Sequence, residues 1–176
     1  SAAAVCQVRE STRAKPRFSG ALCEGVDRIL GYRTPNFVYK PPKWDAFNTG
    51  DKRDLLGAGD KPFKLLLMNY RLCDDIAFRF SNRGWAVPDL SAEKFAKWVD
   101  QINGDGFLCN LFMDYETFGE HQWADTGIFQ FLEALPAKVF DVNPGHNHFI
   151  TVSEALKQFE PVGENDVNDF ISRADM

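Results

Sequence analysis

The stretch Asn110-Leu-Phe-Met-Asp114-Tyr-Glu116-Thr-Phe-Gly-Glu120-His121-Gln-Trp123 decides the reading of the fold, because an apolar run ends abruptly in carboxylates, a histidine and aromatics. Residues 107–113 can be buried on both faces, as a parallel strand must be, and α/β sheets carry their chemistry at the carboxyl ends of such strands. The pattern predicts a strand ending at Met113, with Asp114 as the first candidate for a functional group. Upstream, Phe18-Ser-Gly-Ala-Leu-Cys23 has the same design and runs into Glu24 and Gly25. Glu24 is the second candidate.

Around these two runs the chain alternates strand and helix signals, which argues for a parallel sheet flanked by helices. Asp27 to Leu30 reads as a turn, residues 36–39 as a short strand stopped by Pro41 and Pro42, and residues 63–69 as a buried strand or, by periodicity alone, the start of a helix. Residues 40–61, rich in Lys, Asp and Gly, read as a surface connection. Ser91 caps a helix whose apolar positions Phe95, Trp98, Val99 and Ile102 recur at helical spacing, with Gly104 as its end. Asp125 opens another, with Ile128, Phe131, Leu132 and Leu135 on one face and Pro136 as its stop. Thr151-Val-Ser-Glu154 is a capping box leading into Ala155, Leu156 and Phe159. Strand ends fall near Glu24, Tyr39, Asn69, Asp114 and Thr151, too few to close a barrel, so sheet edges are expected to need cover by loops, another chain or self-association.

Two carboxylates at the ends of separate strands are the minimum equipment for glycoside hydrolysis, one as nucleophile or base and the other as proton donor. The same residues have a plainer reading: Glu24 can cap the turn that follows it, and Asp114 can accept from amides of the Thr117-Phe-Gly119 loop. Larger segments separate the two. Residues 21–39, Asp74-Asp-Ile-Ala-Phe-Arg79-Phe-Ser-Asn-Arg-Gly-Trp85 and Phe112-Met-Asp114-Tyr-Glu-Thr-Phe-Gly-Glu-His121 closely resemble the α-amylase-like group of glycoside hydrolase family 57. The resemblance implies an incomplete (β/α)7 barrel, α-1,4-glucan as substrate and a retaining reaction without a cofactor. It places the nucleophile on Glu24 and the acid/base on Asp114.

The resemblance runs over roughly residues 19 to 175 and departs at both ends. No His-Gln-Pro motif, which in the family contributes to the sugar site, is present, and residues 1–17 resemble nothing in the family. The ending Ser172-Arg-Ala-Asp-Met176 stands where family members read Ser-Trp-Ala-Asp and continue. The expected organisation is a non-matching segment over residues 1–17 and, over residues 18–176, part of a barrel lacking its N-terminal strands, with low activity by itself.

Composition agrees with a folded domain: 44% of the 176 residues are hydrophobic and 14% aromatic. A net charge of −5 does not favour nucleic acid or an anionic membrane surface, whereas a neutral glycan is compatible with it. Cys6, Cys23, Cys73 and Cys109 show no metal or redox spacing and read as free thiols, and with no apolar run long enough to span a membrane a cytoplasmic location is expected.

Supporting roles are assigned residue by residue. His121, beside the proposed acid, can hydrogen-bond a sugar hydroxyl or tune a carboxyl pKa, or serve as a structural histidine. Trp123 and Trp85 follow polar loops, where an indole can stack on a sugar ring, whereas Trp98 belongs to a helix stripe. Arg79 can pair with a site carboxylate or form a structural ion pair. Glu116 is a supporting acid. His146 and His148 alternate as a metal pair can, which keeps a metal-dependent, deacetylase-like barrel as the rival enzyme reading; a non-catalytic fragment is the other rival.

Overall fold

The structure, a computed structural model, describes residues 5–7, 18–42, 62–82, 84 and 90–166. The chain divides into two compact units, Ser1–Met68 with Ile150–Met176, and Asn69–Phe149.

The first unit is built on a four-stranded sheet of β1 (Val5–Gln7), β2 (Phe18–Cys23), β3 (Val38–Tyr39) and β4 (Lys64–Leu67), in the spatial order β1-β2-β4-β3. Strands β2 and β4 are parallel, with Gly20 opposite Lys64 and Cys23 opposite Leu67. The outer pairs are antiparallel, so the sheet is mixed rather than parallel throughout. Every residue of β4 is buried, as a central strand's Leu65-Leu66-Leu67 run requires. Two glycines of the β2 segment permit its close seat on β4. A Cβ at Gly20 would lie 2.5 Å from Lys64 O, and one at Gly25 would lie 1.9 Å from Met68 O.

Residues 27–30, expected as a turn, form a short helix α1 (Asp27–Leu30), because the amides of Ile29 and Leu30 both reach back to Val26 O. Leu30 packs with Tyr39, Leu65 and Leu67 in this unit's apolar core. The free side of β3 is paired by the chain's later part: Val162 N donates to Val38 O, Lys40 N to Gly163 O and Asn165 N to Lys40 O, all within 3.0 Å. Helix α5 (Val152–Gln158) carries the expected capping box between Thr151 and Glu154. Residues 147–151, however, are not a strand; Thr151 turns its amide to the Glu154 carboxylate instead of to a sheet.

The buried Lys64 ties α5 to β4. Its Nζ donates to Leu156 O at 2.9 Å and Phe159 O at 2.6 Å and meets the Glu160 carboxylate at 3.0 Å. An ammonium at the carbonyl-rich end of a helix is favoured by the helix dipole as well as by these bonds.

The second unit packs α2 (Tyr70–Ala77), α3 (Ala92–Asp100) and α4 (Ile128–Val142) around Phe95, Ile128 and Phe131. Asn69 caps α2 by accepting from Leu72 N, and Ser91 caps α3 by accepting from Lys94 N. Helix α3 ends at Asp100, short of Gly104. Helix α4 does not stop at Pro136 but runs through it. Pro136 is exposed, so the Leu132 carbonyl it leaves without an amide faces water. Leu132 is likewise 43% exposed rather than in the core stripe, which is Ile128, Phe131, Leu135 and Val139.

Residues 107–113 are not a strand either. Extended backbone becomes sheet only where a neighbour offers a ladder of donors and acceptors. Here Asn69 N donates to Asn110 O at 2.9 Å, and the side chains of Leu111 and Met113 pack instead against the helical core. The apolar run therefore marks burial, but against helices. The expected connection over residues 43–61 and Trp85 lie outside the described residues.

Candidate active site

Glu24 follows β2 directly, and its placement depends on how tightly the strand end is seated. Met68 N donates to Cys23 O at 2.9 Å, one residue before the acid, and Gly25, one residue after it, lies against the Met68 carbonyl too closely for any side chain. Glu24 itself is partly buried, with its Oε2 withdrawn from solvent. Burial first, and then the neighbouring Glu24 charge, push the Cys23 thiol up to about 11. Cys23 stays protonated at neutral pH and is a packing residue rather than a nucleophile.

Asp114 belongs to the second unit, at the head of a loop rather than at a strand end. The loop begins with a single 3-10 turn, Tyr115–Thr117, closed by Thr117 N donating to Asp114 O at 3.1 Å. The amides of Glu120 and His121 both return to Glu116 O, Gln122 N donates to Thr117 O at 3.0 Å, and Gly119 N donates to Gln122 O at 2.9 Å. Gly119 sits at φ 117°, a conformation that disfavours side chains and that this tight return requires.

Two side chains the sequence did not single out hold this loop. Thr117 and Gln122 are 1% and 2% exposed, and Gln122 Nε2 donates to Ala77 O at 2.9 Å, satisfying a carbonyl in the last turn of α2. Neither lies in a periodic pattern, so nothing in the sequence separates them from their exposed neighbours.

The anchoring leaves the chemistry outside. Asp114, Glu116, Glu120 and His121 are exposed, Tyr115 is 93% exposed and Trp123 64%. The Trp123 indole is oriented by Nε1 donating to Glu120 O at 2.6 Å, which leaves its ring available to a ligand. The structure thus brings Asp114, Glu116, His121 and Trp123 together on one loop and adds Tyr115, an aromatic that the sequence reading passed over. Glu24 belongs to the other unit.

Arg79 takes the structural alternative. Its Nη1 bonds the Asp75 carboxylate and reaches Arg71 O at 3.4 Å, and its Nη2 lies 4.0 Å from Asp74. Burial raises the Asp75 pKa, and the Arg79 hydrogen bond and charge only partly offset it. His146 and His148 are exposed, and among the described residues no group of three His, Cys, Asp or Glu is placed to hold a metal ion. Cys23, Cys73 and Cys109 form no disulfide; burial, and then Cys73, push the Cys109 thiol up to about 12. No helix among the described residues is long and apolar enough to cross a membrane.

Comparison with known proteins bears on this loop and strand together. The family model described as glycosyl hydrolase family 57 matches residues 10–168. A protein of Methanocaldococcus jannaschii named "Putative alpha-amylase" is 41% identical over 160 residues, which cover 90% of this chain and 30% of that protein. The chain thus spans about 30% of the length of this curated relative. No solved structure matches the chain.

Proposed function

This chain belongs to glycosyl hydrolase family 57, and we propose from that premise that it carries the acid pair of a retaining glycoside hydrolase acting on α-1,4-glucans, within part of a (β/α)7 barrel. The observation that carries the reading is the loop of residues 114–123, which lies within the family match and whose backbone is fixed while its acid, histidine and tryptophan stand exposed. The proposed organisation is a barrel portion over residues 18–176, although the family match starts ahead of that boundary, at residue 10, and takes in part of residues 1–17.

In this reading protonated Asp114 gives its proton to the leaving glycosidic oxygen while Glu24 attacks the anomeric carbon. The deprotonated Asp114 then takes a proton from water, which displaces Glu24 and releases the sugar with its configuration retained. A retaining displacement needs the two carboxyl groups about 5 to 6 Å apart. Tyr115 and Trp123 supply faces for sugar rings, and His121 and Glu116 supply hydrogen-bonding groups beside Asp114.

The test separates the two acids chemically. In Asp114→Asn an α-maltosyl fluoride still glycosylates Glu24, since fluoride leaves without a proton, but the glycosyl-enzyme persists for want of a base. Mass spectrometry of digested protein is expected to find a maltosyl adduct on the peptide containing Glu24. Adduct on a different residue, or none after prolonged incubation, overturns the assignment.

A further inference from the structure

The second unit has a concavity of about 450 Å³ whose lining includes Asn69, Arg71, Asp75, Trp98, Gln101 and Asp105, none of them from the 114–123 loop. It is an open surface depression rather than an enclosed cavity. Its walls come from α2 with its capping residue and from the end of α3 with the turns that follow. From this lining we propose that the groove is a second sugar-binding site, taking one or two neutral hexose units of an α-glucan. The inference rests on the glycan reading above but concerns different residues.

The chemistry argues for a neutral polyhydroxylated ligand. Asp75 is 8% exposed, yet it borders the groove and is held by Arg79. The lining sets one guanidinium, Arg71, against the carboxylates of Asp75 and Asp105, and the Asp75 charge is met from outside the lining by Arg79, which Asp74 also approaches at 4.0 Å. An anion would find no net attraction there, and no three His, Cys, Asp or Glu among the described residues are placed to hold a metal ion. What remains is a set of acceptors and donors, including the amides of Asn69 and Gln101, beside an indole. That combination suits a sugar, whose hydroxyls pair with planar polar groups while the apolar face of its ring lies on an aromatic.

The parts are already in place before a ligand arrives. Trp98 is braced by Phe95, at 6.3 Å between ring centres, and packs on the helical core. Asp75 is oriented by the guanidinium of Arg79, whose Nη1 also reaches Arg71 O, eight residues back in the chain. Walls held in this way at Asp75 and Trp98 lose little conformational freedom on binding, which weakly bound sugars need.

The experiment is a titration of the purified chain with maltotriose, followed by backbone amide and indole N–H resonances. Saturable shifts at Trp98 and at residues 69–75 and 98–105 are expected. Gln101→Ala and Arg71→Ala, both exposed positions, should leave the fold intact and weaken this binding about three- to tenfold, the loss of one or two hydrogen bonds. Trp98→Phe, which keeps an aromatic in the core, should weaken it as well. Trp123→Ala should leave the groove's binding unchanged. Shifts confined to the 114–123 loop overturn the groove and leave the active-site reading standing. Shifts in the groove that persist unchanged in all three groove variants, or no shifts there at all, also overturn it.

Discussion

Gly25→Ala is the sharpest test of how Glu24 is placed. A Cβ built on Gly25 lies 1.9 Å from Met68 O, against the 3.0 Å below which real Cβ contacts essentially never fall. The obstacle is backbone, so no side-chain rotation relieves it, and the Glu24–Gly25 peptide must retreat by about 1 Å. That movement pulls on the 2.9 Å bond from Met68 N to Cys23 O, which ties the end of β2 to the end of β4. Overpacking of this kind costs about 1–3 kcal/mol, and weakening a buried backbone bond adds about 1 kcal/mol, so a loss of about 2–4 kcal/mol is expected. Urea unfolding followed by circular dichroism measures it, with Gly163→Ala as control, because a Cβ at Gly163 meets nothing within 4 Å and its φ lies outside the left-handed region. A Gly25→Ala protein within about 0.5 kcal/mol of wild type, with unchanged slope, would refute the claim that close approach fixes the acid.

Lys64→Met keeps the length of the side chain but leaves Leu156 O and Phe159 O without their donor; a loss of about 2–4 kcal/mol is expected in the same assay, and a neutral result would deny Lys64 its role at the end of α5. Asp100 accepts from Asn143, Asn147 and Asn103, and these bonds lower its pKa below the ordinary 3.8. Its contribution is present above pH 3.8 and is lost as pH falls from there through the lowered folded pKa, so Asp100→Asn should remove that part of the acid-side slope in a pH series of unfolding midpoints. Gln122→Leu removes the donor to Ala77 O at a cost of about 1–3 kcal/mol and should make Trp123 emission more accessible to a soluble quencher; unchanged quenching would mean the loop is held elsewhere.

The grouping of acids, histidine and aromatics over residues 114–123 was legible because loops concentrate such side chains in sequence, whereas the backbone beneath them was not. Residues 107–113 show why. Their apolar composition correctly announced burial, but a helix-packed segment and a sheet strand share that composition, and the difference lies in which backbone groups stand opposite. Pro136 failed as a stop for a related reason: the lost hydrogen bond falls on a solvated face of α4, where water compensates the carbonyl. Local signals with their whole mechanism inside a few residues held up, as at the Ser91 cap and the Thr151–Glu154 box. Arg79 stood between two readings because its partner, one helical turn away at Asp75, is a choice among several nearby acids.

Glu24 and Asp114 are secured by different devices, and the difference has a chemical consequence. Glu24 inherits its position from a strand end clamped on both sides, by the Cys23–Met68 bond before it and the Gly25 contact after it. If Glu24 meets an anomeric carbon along one line, as proposed, it gains from such a seat, since a misplacement of about 1 Å can cost about 100-fold in rate. Asp114 instead heads a loop whose buried Thr117 and Gln122 hold the backbone while the carboxylate stays in water. In the proposed reaction Asp114 serves first the leaving oxygen and then the incoming water, and a carboxylate on such a loop has the freedom for both. Perturbing the two anchors should therefore separate: loosening Gly25 should strike the covalent step, whereas loosening Gln122 should act on proton transfer and spare substrates with activated leaving groups.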